Sequence, residues 1–168
     1  KYGTTTNHIV ALEAVMPDGS VDRFSVGEPG PDLVGLLVGA EGTLGVVTRI
    51  WARSLPAPKT IVTVLAGFPT IESSIECVSD IVAAGVMPRV LEAMDRMTVE
   101  SIEAYCHAGY PAAEAVLLVE LDGDRAEDEA VEVEKWLKRH GASELRRAST
   151  FAERERLWEG RRGAYAAV

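Results

Sequence analysis

Pro56-Ala57-Pro58 divides this chain before any other feature is weighed. Two prolines in three residues remove two backbone donors and fix two φ angles, so no regular strand ladder runs through them and the connection is stiff. The residues on either side are therefore expected to fold as separate subdomains, 1–58 and 59–168. A length of 168 residues suits one domain, or one small domain with part of another.

The first part reads as short strands and turns. Ile9 to Val15 alternates as a strand does, and Pro17-Asp18-Gly19 is a turn signal: Pro presets φ, Asp bonds its own backbone and Gly takes the left-handed position. Val21 to Val26 returns as the second strand of a hairpin. The loop Gly27-Glu28-Pro29-Gly30-Pro31 follows, and Asp32 is placed to cap a short helix carrying Leu33, Leu36 and Leu37.

Three glycines then fall at positions 39, 42 and 45, directly before the β-branched run Val46-Val47-Thr48. Glycine is the default where backbone takes φ > 0 or approaches a neighbour with no Cβ between. This stretch is expected to be a tight turn feeding a strand, with Val47, Arg49 and Trp51 on one face and Val46, Thr48 and Ile50 on the other. Its amides face either their own sheet or a polar ligand. The dinucleotide-binding fingerprint is excluded, because that pattern has its strand before the glycines and a helix after them.

The second part alternates strands and helices. Ile61 to Ala66 is a β-branched strand. Thr70 caps a helix with Ile71, Ile75, Val78 and Val82 on one stripe, stopped at Gly85. Val90 to Met94 is a second strand, and a short helix covers about Thr98 to Tyr105. Ala115 to Leu121 is nearly all apolar and so expected to be central and covered. Asp124 with Glu127 resembles a capping box for a helix with Ala126, Ala130, Val133 and Leu137 inward. Glu144 to Ala148 is the fourth strand. The order β-α-β-(α)-β-α-β is the ferredoxin-like split arrangement, so the fold class is α+β.

Thr150 and Glu153 make another capping box, opening a helix through Leu157 and Trp158. Arg161 lies four residues from Leu157 and three from Trp158, so it shares their face; Arg162 projects roughly 100° further round, nearer Glu155 and Glu159. A guanidinium on an apolar face needs an anionic partner. A carboxylate from a neighbouring element and a ligand carboxylate both satisfy that need, since Arg offers a planar two-pronged donor.

Composition narrows the function classes. A net charge of −9 disfavours a nucleic-acid surface, and the central strand carries no stacking aromatic for RNA. No apolar run approaches the roughly 20 residues of a membrane span. His8, His107 and His140 lack metal-ligand spacing, as do Cys77 and Cys106, which read as free thiols of a reducing compartment. Lys1 enters a motif-like run with no Met and Val168 ends inside a helical pattern, so a segment of a longer polypeptide is expected.

Residue identity adds a family. Glu41-Gly42-Thr43-Leu44-Gly45-Val46-Val47-Thr48 closely resembles the E-G-T-L-G-[VI]-[VI]-T signature of FAD-linked oxidases and dehydrogenases of the vanillyl-alcohol-oxidase (PCMH-type) superfamily. The run Lys1–Gly19 resembles the segment preceding it in the branch of the glycolate oxidase FAD subunit and D-lactate dehydrogenase. Leu157-Trp158-Glu159-Gly160-Arg161 is similar to that branch's L-W-x-x-R motif. The resemblance implies that 1–58 is the end of an FAD-binding domain and 59–168 an incomplete ferredoxin-like cap. It implies FAD contacts, chiefly through backbone, at Glu41, Gly42, Thr43, Leu44, Gly45, Val46 and Val47, and a substrate carboxylate on Arg161.

The implied reaction is oxidation of a small 2-hydroxy acid, glycolate or D-lactate, with a separate electron acceptor. Iron–sulfur or other electron-transfer subunits are the implied partners, in the cytoplasm or peripheral to the inner membrane through them. The family's pyrophosphate loop would lie before Lys1, and its H-x-G-D-G-N-x-H segment, with the base and metal, after Val168. No catalytic or metal residue is assigned within the chain, and the segment alone is expected neither to hold FAD tightly nor to turn over. Gly27–Pro31 departs from the family in being shorter and richer in proline. A non-catalytic ferredoxin-like small-molecule module is the alternative reading.

Overall fold

The computed structural model of the chain describes residues 1–148 and 150–167. It separates into two compact units, Tyr2–Ala57 and Pro58 onward, with Lys1 grouped with the second. Val168, which closes the last helical pattern in the sequence, lies outside the described residues.

The first unit is a three-stranded antiparallel sheet in the order β2-β1-β3, made of β1 (Ile9–Val15), β2 (Val21–Ser25) and β3 (Val46–Ala52). The β1–β2 hairpin turns as its sequence demands: Gly19 sits at φ +86° and donates to Met16 O at 2.9 Å. The Asp18 carboxylate accepts from Ser20 N at 2.9 Å, and that bond holds its pKa below the ordinary value. Helix α1 (Leu33–Leu37) starts where Asp32 accepts the Gly35 amide at 2.9 Å. It buries Val34 and Leu37 against Ile9, Leu12 and Ala14 of β1. Strand β3 is exposed along its whole length within this unit.

The second unit runs β4 (Ile61–Phe68), α2 (Ile71–Ala83), β5 (Val90–Asp95), α3 (Arg96–Cys106), β6 (Ala115–Asp122), α4 (Ala126–Arg139), β7 (Ser143–Ala148) and α5 (Phe151–Ala167). The strand order is β5-β6-β4-β7, with every neighbouring pair antiparallel. That is the ferredoxin-like order, with α3 inserted and α5 added. Strand β6 is central and buried at all eight positions, as an apolar run covered on both faces requires.

Each sheet face has its own core. Val62, Val64, Ala66 and Phe68 of β4, with Leu117, Val119 and Leu121 of β6, pack under α2 and α4. The alternate residues, Leu65, Met94, Val116 and Leu118, pack under α3 and α5 through Val99, Ile102 and Leu157. Leu65 stands opposite Leu118, and Leu118 opposite Glu92, so strand register carries this second face across to the edge strand β5.

Two local expectations are corrected. Helix α2 buries Ser74, Cys77 and Ile81, while Ile71, Ile75 and Val82 stay largely exposed. Ser74 tolerates burial because its hydroxyl donates to Ile71 O at 2.7 Å, and burial pushes the Cys77 thiol up to about 11. Helix α4 is not capped by Asp124; its N-cap is Arg125, with no side-chain bond. The start is instead held by Ala126 N donating to Gly123 O at 3.2 Å, and Glu127, Asp128 and Glu129 oppose the positive end of the helix.

Candidate functional site

The glycine stretch folds into a turn closed by Thr43 N donating to Ala40 O at 2.9 Å, with the Thr43 hydroxyl on the same carbonyl at 2.6 Å. Its two central residues, Glu41 and Gly42, have φ of +51° and +79°. Positive φ at both central positions belongs to the type I′ class, which favours Gly and Asn. Glu41 is therefore held in a conformation that costs a side-chain-bearing residue about 1–2 kcal/mol.

Gly39 and Gly42 are needed for φ alone, since a Cβ on either would meet nothing within 4 Å. Gly45 is needed for approach: a Cβ there would stand 3.0 Å from Val15 O. Among the described residues, no protein acceptor takes the amides of Glu41, Gly42 or Leu44. The side chains of Leu44, Val46 and Val47 are exposed beside them within this unit.

In the second unit, α5 opens on the reciprocal capping box read from sequence: Glu153 N donates to Thr150 Oγ1 at 3.2 Å, and Thr150 N to Glu153 Oε2 at 3.0 Å. Leu157 and Trp158 face the sheet as expected, and Arg161 follows them onto that side. Arg161 Nε donates to Glu92 Oε2 on β5 at 3.1 Å. Among the described residues its two terminal nitrogens meet no acceptor. Arg162 bonds Glu155 at 3.2 Å on the outer side.

Three features that hold this helix went unremarked in the sequence. Glu120 of β6 is 2% exposed and accepts from Trp158 Nε1 at 2.6 Å and Thr63 Oγ1 at 2.7 Å. Its other oxygen pairs with Arg89 Nε at 3.3 Å, and Arg89 reaches Asp122 at 3.8 Å; Lys1 also pairs with Asp122. A buried carboxylate survives only when so partnered.

Gly160 is the second feature. A Cβ there would sit 2.8 Å from Ala108 Cβ and from Tyr110 Cζ, so only glycine lets α5 lie this close. Tyr110 is the third. Its hydroxyl donates to Leu157 O at 2.5 Å, and burial pushes its phenol up to about 12. The one sequence signal for these contacts was a lone acid, Glu120, inside an apolar strand.

Arg161, Glu92, Glu120 and Trp158 thus share one sheet face, where the arrangement offers a fixed cation with an open end. The exposed turn amides belong to the other unit. Among the described residues no group of three or more His, Cys, Asp or Glu is placed to hold a metal ion, and no helix is long and apolar enough to cross a membrane.

Comparison with known proteins gives these observations a family. Residues 57–168 match the family described as FAD linked oxidases, C-terminal domain. The whole chain is 38% identical over 174 residues to glycolate oxidase subunit GlcD of Escherichia coli (strain K12), covering 35% of that protein. The subunit of the same name in Bacillus subtilis (strain 168) is 38% identical over 175 residues, with 100% of this chain and 37% of the relative covered. A D-lactate dehydrogenase of Archaeoglobus fulgidus is 34% identical over 165 residues, covering 94% of this chain and 36% of the relative.

Among solved structures, an alkyldihydroxyacetonephosphate synthase superposes over 99% of this chain and 35% of its own, with a TM-score of 0.65 at 18% identity. A p-cresol methylhydroxylase with substrate bound does so over 95% and 40%, with a TM-score of 0.66 at 14% identity. These two share the fold. The chain spans little more than a third of the length of the relatives it matches. With the resemblance read from its glycine signature thereby borne out, the chain belongs to the FAD-linked oxidases, matching their C-terminal domain from residue 57 onward.

Proposed function

We propose that this chain forms the substrate-facing part of a flavoenzyme that oxidises a small 2-hydroxy acid, of the glycolate or D-lactate kind, to the 2-oxo acid. Arg161 carries the reading. It is tethered at Nε alone by Glu92, and its open end suits bidentate capture of a carboxylate. The named relatives act in the same chemical territory, as glycolate oxidase subunits and a D-lactate dehydrogenase.

Residues 1–58 are assigned to the end of an FAD-binding domain and 59–168 to the cap. The turn fits FAD by its donor set: unengaged amides at Glu41, Gly42 and Leu44 suit a polar cofactor edge, and Leu44, Val46 and Val47 suit its apolar surface. When bound, FAD supplies the two-electron oxidation at the substrate α-carbon. Arg161 would fix the carboxylate and so orient that carbon; the base and any metal come from elsewhere in the polypeptide. A separate electron acceptor, delivered through iron–sulfur or other electron-transfer subunits in the cytoplasm or at the inner membrane, completes the cycle.

The test is a panel of 2-hydroxy acids mixed anaerobically with a full-length flavoprotein carrying this chain, with bleaching of the flavin as readout. Glycolate or D-lactate should bleach it. Arg161→Met should raise KM about 100-fold, the scale of a lost charged hydrogen-bonded pair. No bleaching by any acid would return the chain to the non-catalytic binding class.

A further inference from the structure

We infer that Glu92 is the positioning residue for Arg161 and an electrostatic filter against substrates with a second carboxylate. The inference rests on the reading of Arg161 as the carboxylate anchor. Its own ground is the way the pair is joined.

An arginine can meet a carboxylate end-on, through both terminal nitrogens, or side-on, through Nε and one of them. Glu92 touches Arg161 through Nε at 3.1 Å. That contact fixes the swing of a long side chain and leaves the terminal pair to a ligand. Both side chains are rather more than a third exposed, at 38% for Arg161 and 39% for Glu92, so a ligand can reach them. Backbone constraint adds to the fixing: the Tyr110 bond to Leu157 O, one turn before the arginine, and Gly160, directly before it, hold α5 close, and Trp158 is pinned by Glu120.

Charge bookkeeping on the same face gives the filter. Among the described residues, Glu92, Glu120 and Asp122 are the acids on the β5 and β6 side of that face, and Arg89, Arg161 and Lys1 the bases. Arg146 shares the face but stands on β7, at the opposite edge of the sheet, where it donates to Gly109 O. Arg89 serves Glu120 and Asp122, and Lys1 serves Asp122, so these cations are committed. Arg161 is already balanced by Glu92. One ligand carboxylate is accommodated by the open end of the fork. A second, a few ångströms away on the β5 side, would meet the Glu92 carboxylate, and like charges at that range repel. Among the described residues the cations on that side are already committed, with Arg146 at the far edge of the sheet. A polar or apolar substituent meets no such penalty.

The experiment compares Glu92→Gln, Glu92→Ala and Arg161→Met in the full-length flavoprotein, with D-lactate and malate as the mono- and dicarboxylic substrates. Flavin content serves as the check on folding. Glu92→Ala should raise KM for D-lactate about tenfold while kcat moves less than about twofold, because the tether acts on binding. Glu92→Gln keeps an acceptor for Nε and should hold KM within about threefold, yet raise the malate-to-lactate ratio of kcat/KM about tenfold.

Should Glu92→Ala lose its flavin, Glu92→Asp retracts the acceptor by one methylene and carries the same comparison. An unchanged lactate KM in Glu92→Ala, beside a raised KM in Arg161→Met, overturns the tether and leaves the anchor standing. An unchanged malate-to-lactate ratio in Glu92→Gln overturns the filter. An unchanged KM in Arg161→Met overturns the anchor, and the tether falls with it.

Discussion

The two units build their candidate binding surfaces from opposite materials. In Tyr2–Ala57 the surface is backbone: a turn with two consecutive positive φ values, whose amides are left over after Ala40 and Thr43 have closed it. In the unit from Pro58 onward it is side chain: a guanidinium held on a sheet face by Glu92, on a helix held there by Glu120, Tyr110 and Gly160. A surface of the first kind tolerates many side chains and few added Cβ atoms. One of the second kind tolerates little change in a buried hydrogen-bond network, because each partner removed leaves another unsatisfied.

The largest effect should come from breaking the side-chain surface at its root. Glu120→Ala leaves the Trp158 indole N–H and the Thr63 hydroxyl without their acceptor, and Arg89 with Asp122 alone. Unfolding in urea should show a loss of about 3 kcal/mol. Glu120→Gln, which keeps an acceptor oxygen for Trp158, should lose less. If Glu120→Ala is as stable as the parent chain, the network does not hold α5, and the contrast between the two surfaces weakens.

Next come the two glycines that a sequence reader would treat alike. Gly160→Ala inserts a methyl where Ala108 Cβ and Tyr110 Cζ leave only 2.8 Å. Overpacking of about 1–3 kcal/mol is partly offset by alanine's better helix propensity, worth about 1 kcal/mol, so a net loss of about 1 kcal/mol, and at most about 2, is expected. Gly42→Ala meets nothing within 4 Å and carries only the strain of φ +79°, about 1 kcal/mol. The two also differ in kind. Gly160→Ala should disturb the near-ultraviolet signal of Trp158 through the displaced helix, and Gly42→Ala should leave it unchanged.

How much of this could be read beforehand follows the same division. Local backbone demands were legible. Gly42 marked a positive φ, and Thr150 with Glu153 marked a helix start. Helical spacing put Arg161 on the face of Leu157 and Trp158. What holds that face was not legible, because it depends on strand register: Glu120 meets Thr63 across 57 residues and Trp158 across 38. Arg161 finds Glu92 across 69.

The phase of α2 was misread for a related reason. Its strongest hydrophobes suggested one stripe, but the sheet is approached through Ser74, Cys77 and Ile81, two of them small residues. Asp124 was credited with a cap that Gly123 O supplies to the Ala126 amide instead.

The smallest expected effect is also the sharpest separator of the two surfaces. Glu41 is a charged residue at φ +51°, exposed, in a turn whose other central residue is glycine. Folding alone would favour glycine there too: Glu41→Gly relieves the left-handed strain but gives back some unfolded-state entropy, for a net gain of about 0.5 kcal/mol. Thermal unfolding of the 168-residue chain should therefore rise slightly. If the turn binds through its amides, flavin affinity of a full-length protein carrying Glu41→Gly should stay within about threefold of the parent. A large loss of flavin would show instead that the glutamate side chain is retained in a strained conformation because it touches the ligand, and the first surface would then be built from side chain as well.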